Sequence, residues 1–488
     1  MRFSYAPPLG GRPQVPPVAV RRKEVAVHRQ RRRVVRPATL FTVLLFAGSL
    51  AACGGSGGSG GSGGDDGTLT LWTFKQSHVA ALQAAADAYR EESGVAIEVE
   101  AVTPDEAFVT RTQAAAQTGD LPDLFETHIH GDDFTFGGAG LLEDLSDDVT
   151  DEWLSRYSEA VRDAGTVTPD YYEDSLAPDS NLAGIEEGQR FSVPLTMGTF
   201  GIVYADAERL AQAGVTEPPA TWEEFIDVLA AVDEEFPENG GLSVGLQSPT
   251  TGLEWILQPM AYGQLGQDGF EALFSDDANT DFASPDGRAV LENYGEIQPY
   301  WTPGTQTLPI DQADLSFAQG ESSFLVGGTF TLAFLEQNGF DTDNLMTFPV
   351  PAPSGGAIPE LTLAPFGLTG LSVSATTGDK EGALGFLEYM AAPDVAADFA
   401  QAALDVPSTD LGDDPTQAVG PVLGQMMETL SSAAEAYNPG DTTYKPSGYD
   451  GEEVAALLME YTPLARTDAA GAGGEMADLI TSYWNQQR

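Results

Sequence analysis

The 488-residue sequence contains a single cysteine, Cys53, which excludes an intramolecular disulfide framework. Lysine is also scarce, because only Lys75, Lys380 and Lys445 lie beyond residue 52. From residue 53 on, 12 basic residues stand against 73 acidic ones, a formal net charge of −61. A chain this acidic lacks the Lys and Arg that neutralise phosphates, so no nucleic acid partner is expected. Charged residues and prolines interrupt the hydrophobic segments, which excludes a polytopic membrane protein.

The N-terminal segment has the opposite charge, with 10 Lys and Arg residues and one Glu in residues 1–52. It ends in an uncharged apolar run at 38–52, which is short for a spanning helix and fits the hydrophobic region of a secretory signal. We therefore predict a signal peptide at 1–52. Residues 53–67 follow as a flexible tether, mostly Gly and Ser, with a root-mean-square span of roughly 20 Å.

The sequence Leu50-Ala51-Ala52-Cys53 resembles the lipobox of bacterial lipoproteins. In a lipobox, a signal peptidase cleaves before the cysteine, whose thiol carries a diacylglyceryl group. The alternative is an ordinary signal peptide with a cysteine there by chance. The only cysteine of the chain occupies the one position that a lipobox requires, which favours lipidation of Cys53. The resemblance implies a lipid-anchored protein on the outer face of the cell membrane.

The remainder of the chain alternates between strand and helix patterns. Residues 68–72 alternate like a strand, a helical pattern starts at Ser77, and residues 95–99 form a second strand pattern. A strand–helix–strand unit with a connection of helix length predicts parallel pairing. A helix at 110–118 then precedes a short buried strand at 121–126. The fold class is therefore predicted to be α/β.

A helix start is predicted at residues 218–225. Thr221 can accept a hydrogen bond at the N-cap, and Glu224 follows three residues later, which is the capping-box pattern. Trp222 lies on the apolar stripe of this helix, so we interpret it as a core residue.

Ten short segments, in this order, together resemble the bacterial family 1 extracellular solute-binding proteins, which are related to maltose-binding protein. The segments are 69–74, 119–125, 140–145, 192–194, 201–206, 213–215, 218–225, 317–324, 370–374 and 383–390. The resemblance extends from about residue 68 to 410 and is more diffuse beyond. It implies a type II periplasmic-binding-protein fold, in which two lobes, each a mixed and mostly parallel sheet flanked by helices, enclose a ligand cleft.

The resemblance also implies a division of the chain and a function. The N-terminal lobe is expected to comprise residues 68–196 and 371–428, and the C-terminal lobe 197–370 and 429–488. The protein is expected to be a monomeric, non-catalytic component of an ABC importer that needs no cofactor. It would capture a carbohydrate, with an oligosaccharide favoured, close its lobes around it and deliver it to the transmembrane subunits of the permease.

We expect ligand contacts in the loops that follow strands, because ligands bind at the carboxyl ends of strands in α/β sheets. Aromatic rings suit the C–H faces of sugars, and polar side chains suit their hydroxyl groups. The candidates are Trp72, Phe74, Lys75, Glu126, His128, Thr199, Trp255, Phe330, Phe366, Tyr437 and Tyr444. Trp72 can equally pack beneath the lobe. Phe330 replaces the tryptophan that is usual in the family.

Three alternatives stay open at this point. Glu126, His128 and His130 would share one face of a continued strand, as zinc ligands do. The pair Tyr171-Tyr172 resembles the tyrosine pair of ferric-binding relatives, so the ligand can also be iron, a polyamine or another small solute. Paired carboxylates can serve glycoside hydrolysis, but with so many acidic residues a pair is uninformative.

The lipobox generates a direct prediction about Cys53. We expect Cys53→Ser to abolish the incorporation of radiolabelled palmitate in a bacterial host, because the only thiol that can accept the lipid is removed. Immunoprecipitation followed by autoradiography measures this incorporation. Undiminished labelling of the serine variant would contradict the lipobox.

Overall fold

The computed structural model describes residues 67–103, 107–177, 180–412, 414–430, 433 and 435–486. The predicted signal peptide, Cys53 and the tether up to residue 66 lie outside these described residues. None of the helices in the described ranges is long and apolar enough to span a membrane.

A five-stranded sheet forms the first half of the architecture. Its order is β2-β1-β3-β9-β4. The strands are β1 (Leu69–Thr73), β2 (Ile97–Ala101), β3 (Leu124–His128), β4 (Val193–Gly198) and β9 (Phe366–Val373). β1 pairs in parallel with β2 and β3, whereas β9 runs antiparallel to both β3 and β4. This mixed sheet and the helices packed on it are the first lobe.

A four-stranded sheet forms the second half, in the order β6-β7-β5-β8. Its strands are β5 (Phe200–Asp206), β6 (Leu242–Ser243), β7 (Phe324–Gly328) and β8 (Leu345–Pro349). β5 is antiparallel to β7 and β8, and β6 is parallel to β7. This sheet and its helices are the second lobe. Two sheets flanked by helices confirm the α/β fold class predicted from the sequence.

Helices connect the strands in both lobes. They are α1 (Val79–Ser93), α2 (Phe108–Thr118), α3 (Asp132–Gly138), α4 (Asp151–Leu154), α5 (Pro169–Ser175), α6 (Ala207–Gln212), α7 (Trp222–Glu235), α8 (Thr250–Gly252), a π-helix (Leu253–Leu257), α9 (Gln258–Ala272), α10 (Pro285–Gly295), α11 (Ile310–Ala318), α12 (Thr331–Gln337), α13 (Lys380–Met390), α14 (Pro393–Ala403), α15 (Pro415–Val419), α16 (Pro421–Glu428), α17 (Gly451–Tyr461) and α18 (Ala469–Gln486).

Local sequence signals explain several of these elements. Helix α7 starts at the predicted N-cap, where the Glu224 amide donates to Thr221 Oγ1 at 3.3 Å. The Glu224 carboxylate accepts from the Ala220 amide at 2.9 Å, one residue before the usual capping-box donor. Trp222 is fully buried, which confirms the prediction that it belongs to the core.

Alternation along the strands divides the core of the first lobe between the two faces of its sheet. Leu71 and Leu124 pack in one buried cluster with residues of α1, α13 and α14. Their neighbours Trp72 and Phe125 pack in another cluster with Phe108 of α2. Successive side chains of a strand point to opposite faces, so each strand contributes to both clusters.

The chain passes between the lobes at two places within the described residues that bear on the expected division. β4 stays in the first sheet to Gly198, and β5 begins in the second sheet at Phe200. On the return, Phe366 already pairs with Gly198 in the first sheet. The first sheet therefore includes residues 197–198 and 366–370, which the expected division assigned to the C-terminal lobe. The reason is that the first part of β9, from Phe366 to Leu371, pairs with β4.

Gly198 allows the lobes to approach closely at this crossing. A Cβ atom there would collide with the Thr329 side chain and would lie 2.6 Å from Leu368 Cδ1. Thr329 and Leu368 belong to different lobes, so both lobes would have to move to accommodate a larger residue.

We expect Gly198→Ala to destabilise the protein by about 1–3 kcal/mol, the usual cost of overpacking a filled site. Thermal unfolding monitored by circular dichroism measures the resulting fall in Tm. Gly474→Ala in α18 is the matched control, because a Cβ at Gly474 meets no atom within 4 Å. The control is expected to keep or raise Tm, since alanine favours a helix. A Gly198→Ala variant as stable as wild type would contradict the close approach.

Candidate functional site

The first lobe presents one edge on which several predicted site residues meet. β3 and β4 run parallel to β1 on either side of the antiparallel β9, so their carboxyl ends share this edge with the start of β9. Phe74 follows β1 directly, and His128 ends β3. Their rings stack with centroids 3.9 Å apart and planes inclined by 23°. The structure thus brings together two of the predicted contacts.

Four aromatic rings meet where the chain crosses between the lobes, and we call them the aromatic quartet: Phe200, Trp255, Phe330 and Phe366. Phe200 stacks on Trp255 at 5.5 Å with planes inclined by 24°. Its centroid lies 6.2 Å from Phe330 and 5.2 Å from Phe366, both near-perpendicular contacts. Phe366 belongs to the first sheet and the other three to the second lobe. The quartet therefore joins the two lobes.

Lys75 connects the edge of the first lobe to the quartet. Its Nζ donates to Asp405 Oδ2 at 2.7 Å and lies 5.8 Å from the centroid of the Phe330 ring. The ammonium is thus held by a carboxylate of its own lobe and faces an aromatic ring of the other. A cation within about 6 Å of a ring is attracted by the negative face of that ring.

A buried group of charged side chains, His78, Glu126 and Asp405, lies next to Lys75. His78 Nδ1 is 2.9 Å from Glu126 Oε1, and His78 Nε2 is 3.2 Å from Asp405 Oδ2. Thr73 donates its hydroxyl to the second oxygen of Glu126 at 2.6 Å. An imidazolium can donate to both carboxylates at once, so this arrangement matches a protonated His78 between two ionised acids.

The protonation states follow from competing effects. Burial acts to lower the pKa of His78, but the charge of Glu126 and the hydrogen bonds to both acids leave the pKa above its ordinary value. Burial acts to raise the pKa of Glu126, but the charges of His78 and Lys75 and the hydrogen bonds from His78 and Thr73 together outweigh it and lower that pKa. Burial likewise opposes ionisation of Asp405, yet Lys75 and His78 lower its pKa to about 2. Each of the three shifts favours the charged form of its group, a protonated His78 and ionised Glu126 and Asp405.

Several predicted contacts lie deeper than the cleft edge. Glu126 is fully buried, and its oxygens are occupied by His78 and Thr73. Trp72 is 8% exposed, packs edge-on against Phe125 and is covered by the Arg111 guanidinium 4.4 Å from its ring centroid. Trp72 therefore packs within the first lobe, which is the alternative to a ligand contact that the sequence left open for it.

Thr199 is also fully buried, at the crossing between β4 and β5. Its carbonyl oxygen accepts a hydrogen bond from the Thr329 amide at 3.2 Å. Thr199 thus fixes the position of the segment that precedes Phe330.

The predicted tyrosines pack on the second lobe. Tyr437 is 1% exposed, and its hydroxyl donates to Gln258 at 3.0 Å. Tyr444 contacts Phe270 and Phe274, each at 5.2 Å. Neighbouring Lys445 is buried among aromatic rings, with Glu254 Oε1 4.0 Å from its Nζ, and burial lowers its pKa. These contacts hold the late segment of the chain against α9.

The two histidines considered as zinc ligands diverge. β3 ends at His128, and His130 has a positive φ of 62°, so the strand does not continue through both residues. His128 bonds Asp132 at 2.6 Å, whereas the His130 ring packs 4.7 Å from Tyr171. Across the part of the chain that the structure describes, no group of three or more His, Cys, Asp and Glu residues is placed to hold a metal ion.

Sequence reasoning missed Phe200 and Asp405. Phe200 immediately precedes Gly201 at the start of a strand, and a glycine inside a strand pattern is a signal for an irregular backbone. Asp405 follows α14 and reaches Lys75 over a separation of 330 residues. No local pattern identifies such a partner.

Comparison with known proteins places the chain among binding proteins. A sequence model of the family described as bacterial extracellular solute-binding protein matches residues 84–415, more than half of the 488 residues. No curated protein sequence matches the chain.

Solved structures with the same architecture share little sequence. A protein from a study of xylan utilization by the thermophilic bacterium Caldanaerobius polysaccharolyticus has 18% identity and a TM-score of 0.64, over 84% of this chain and 99% of that one. A probable secreted solute-binding lipoprotein from Streptomyces coelicolor has 18% identity and a TM-score of 0.57, over 87% and 100%. The maltotriose binding protein of Thermus thermophilus, bound with maltotriose, has 19% identity and a TM-score of 0.56, over 85% and 99%. These likenesses confirm the predicted two-lobe periplasmic-binding-protein fold.

The buried charges predict separate titrations for two histidines. We expect His78 to titrate above its ordinary pKa of 6.5, whereas burial, with Arg190 adding to it, lowers the pKa of His130 to about 4. Histidine-selective NMR of the protein from residue 53 on measures both midpoints. Because the folded pKa of His78 is raised, its stabilising contribution is complete below pH 6.5 and is lost as pH rises through the raised pKa.

Asp405→Asn should lower the His78 midpoint, because it removes one carboxylate partner. Asp268→Asn, at an exposed position of α9, is the control and should leave both midpoints unchanged. A wild-type His78 midpoint at or below 6.5 would contradict a protonated His78 between the carboxylates of Glu126 and Asp405.

Proposed function

Because the chain belongs to the bacterial extracellular solute-binding protein family, we propose that it captures a carbohydrate, preferably an oligosaccharide, for an ABC importer. The aromatic quartet is the observation that carries the choice of carbohydrate. Its rings form an apolar cluster between the lobes, which we call the platform, and three of the four rings are partly exposed. Partly exposed aromatic rings suit the C–H face of a sugar ring.

Polar side chains flank this platform. Lys75 is held beside Phe330, and His128 is partly exposed next to Phe74. Lys75 and His128 can offer N–H groups to sugar hydroxyls while the rings pack on the apolar face. We propose Phe74, Lys75, His128, Phe330 and Phe366 as the groups around the ligand, with Trp255 part of the same platform.

The other predicted contacts support this site from below. Glu126 holds His78, Trp72 packs under the first sheet, and Thr199 fixes the segment before Phe330. Tyr437 and Tyr444 hold the late segment against the second lobe. Their contribution to binding is then indirect, through the rigidity of the site.

We propose that the lobes close around the ligand by rotation at the crossings between them. The β4–β5 crossing at Thr199 and the segment between β8 and β9 connect the two sheets. Closure at a few element-terminal residues is one of the common modes of domain movement. The lobes would comprise residues 68–198 with 366–428, and 199–365 with 429–488, the expected division adjusted to the strand ends.

The remaining proposals concern location and partners. We propose that the protein is a monomer, anchored on the outer face of the membrane through diacylglyceryl Cys53, and that it delivers its ligand to the permease subunits without altering it chemically. The similar structure from Streptomyces coelicolor is named a probable secreted solute-binding lipoprotein, which supports the anchor. The tether of Gly and Ser would let the folded part reach the permease.

A thermal-shift screen tests the choice of ligand. The panel contains neutral oligosaccharides, polyols, spermidine and ferric citrate. We expect an oligosaccharide to raise Tm, because a ligand at 100 times its Kd stabilises the folded state by about 2.7 kcal/mol. Chromatography of the incubated sugar should show it unaltered. Stabilisation by spermidine or ferric citrate instead, or the appearance of a hydrolysis product, would contradict the proposal.

Calorimetric titration of variants locates the site with the sugar that the screen identifies. Phe330→Ala should weaken binding about two- to thirteenfold, because an aromatic contact contributes about 0.5–1.5 kcal/mol. Phe236→Ala is the matched control, since Phe236 is also a partly exposed ring beside a cation, with the Arg209 guanidinium 5.7 Å from its centroid. Its affinity should match wild type.

A further inference from the structure

The stack of Phe200 on Trp255 has an inner and an outer ring. Trp255 is 6% exposed and lies in the buried core of the second lobe, whereas Phe200 is partly exposed. Phe330 and Phe366, which contact Phe200 edge to face, are also partly exposed. Solvent therefore reaches this pair of rings through Phe200. A ligand approaching from the same side would meet Phe200 before Trp255.

An irregularity in the strand aims the Phe200 side chain. Phe200 pairs with Gly328 and Ile202 pairs with Gly327, so the intervening Gly201 is an extra residue in β5, a β-bulge. Gly201 has a positive φ of 87°, which glycine adopts readily. Bulges occur next to binding sites, where they redirect a side chain.

A second irregularity places Trp255 behind it. Residues Leu253–Leu257 form one turn of π-helix between α8 and α9, and such turns are frequent at functional sites. The two irregular segments touch each other: a Cβ at Gly201 would lie 3.1 Å from the Trp255 carbonyl oxygen and 3.2 Å from Pro259 Cγ. A side chain at position 201 would be strained by the positive φ and would require the contact between the bulge and the π-turn to open by a few tenths of an ångström.

From this geometry we propose that Phe200 is the ring on which the solute stacks, and that Trp255 is a positioning residue that fixes the plane of Phe200 from behind. The inference rests on the proposed function and narrows its ligand to solutes with a flat apolar face, such as a pyranose ring. The outer face of the platform is then a phenyl ring, which offers no hydrogen-bond donor. Selectivity among sugars must come from polar groups around the ring rather than from the ring itself.

Three variants test this assignment by calorimetry with the sugar found in the thermal-shift screen. Phe200→Leu keeps an apolar side chain but removes the flat face, so affinity should fall about tenfold. Phe200→Tyr keeps the face and should bind within about threefold of wild type. Trp255→Phe keeps a ring behind Phe200, and its affinity should also stay within about threefold.

Phe340→Leu is the matched control. Phe340 is a partly exposed ring stacked on buried Phe317, at 5.0 Å and 29°, outside the quartet. It should lose a similar amount of thermal stability to Phe200→Leu without losing affinity. If wild type and Phe200→Leu bind the sugar equally, or if Trp255→Phe loses tenfold while Phe200→Leu does not, the assignment of Phe200 is overturned and the proposed function stands. If wild type binds none of the sugars, the proposed function fails and the stacking assignment with it.

Discussion

The structure around the cleft depends on one buried interaction, the double hydrogen bond from His78 to Glu126 and Asp405. It connects the segment that follows β1, the middle of β3 and a residue that follows α14. Removing one partner from a buried group of charges leaves another uncompensated, at a cost of about 3–5 kcal/mol. The interaction therefore fixes β3 and the segment that follows β1 relative to the segment after α14.

The buried charges also determine what the surface of the cleft offers. Asp405 accepts from His78 and Lys75 together, so the ammonium of Lys75 is held at a defined place. From there it faces Phe330 of the other lobe. In a chain with so little lysine, this positive charge is paired with Asp405 of its own lobe and faces the Phe330 ring of the other. The chemistry of the cleft is accordingly that of oriented N–H groups beside an apolar surface.

The sequence predicts local structure well and tertiary partners poorly. The strand predicted at 68–72 is observed at Leu69–Thr73, and the helix after Thr221 starts where its cap indicates, because strand alternation and capping depend on neighbours in sequence. The expectation that ligand contacts follow the carboxyl ends of strands also identified Phe74 and His128, which lie at one edge of the first sheet. The pairing of Glu126 with His78 was not predictable, because the two residues lie 48 positions apart and no motif relates them. Aromatic residues such as Tyr437 suit a core as well as a ligand, and composition does not distinguish the two.

The return strand β9 has a consequence for the order in which the protein can be completed. It lies between β3 and β4 in the first sheet, and Asp405 follows it by more than thirty residues. Until these residues have been synthesised, β3 and β4 have no strand between them and His78 lacks its second carboxylate partner. The first lobe therefore cannot be completed early as the chain emerges from the ribosome, although N-terminal domains generally fold first. The connectivity alone therefore delays completion of the first lobe until most of the chain has been synthesised.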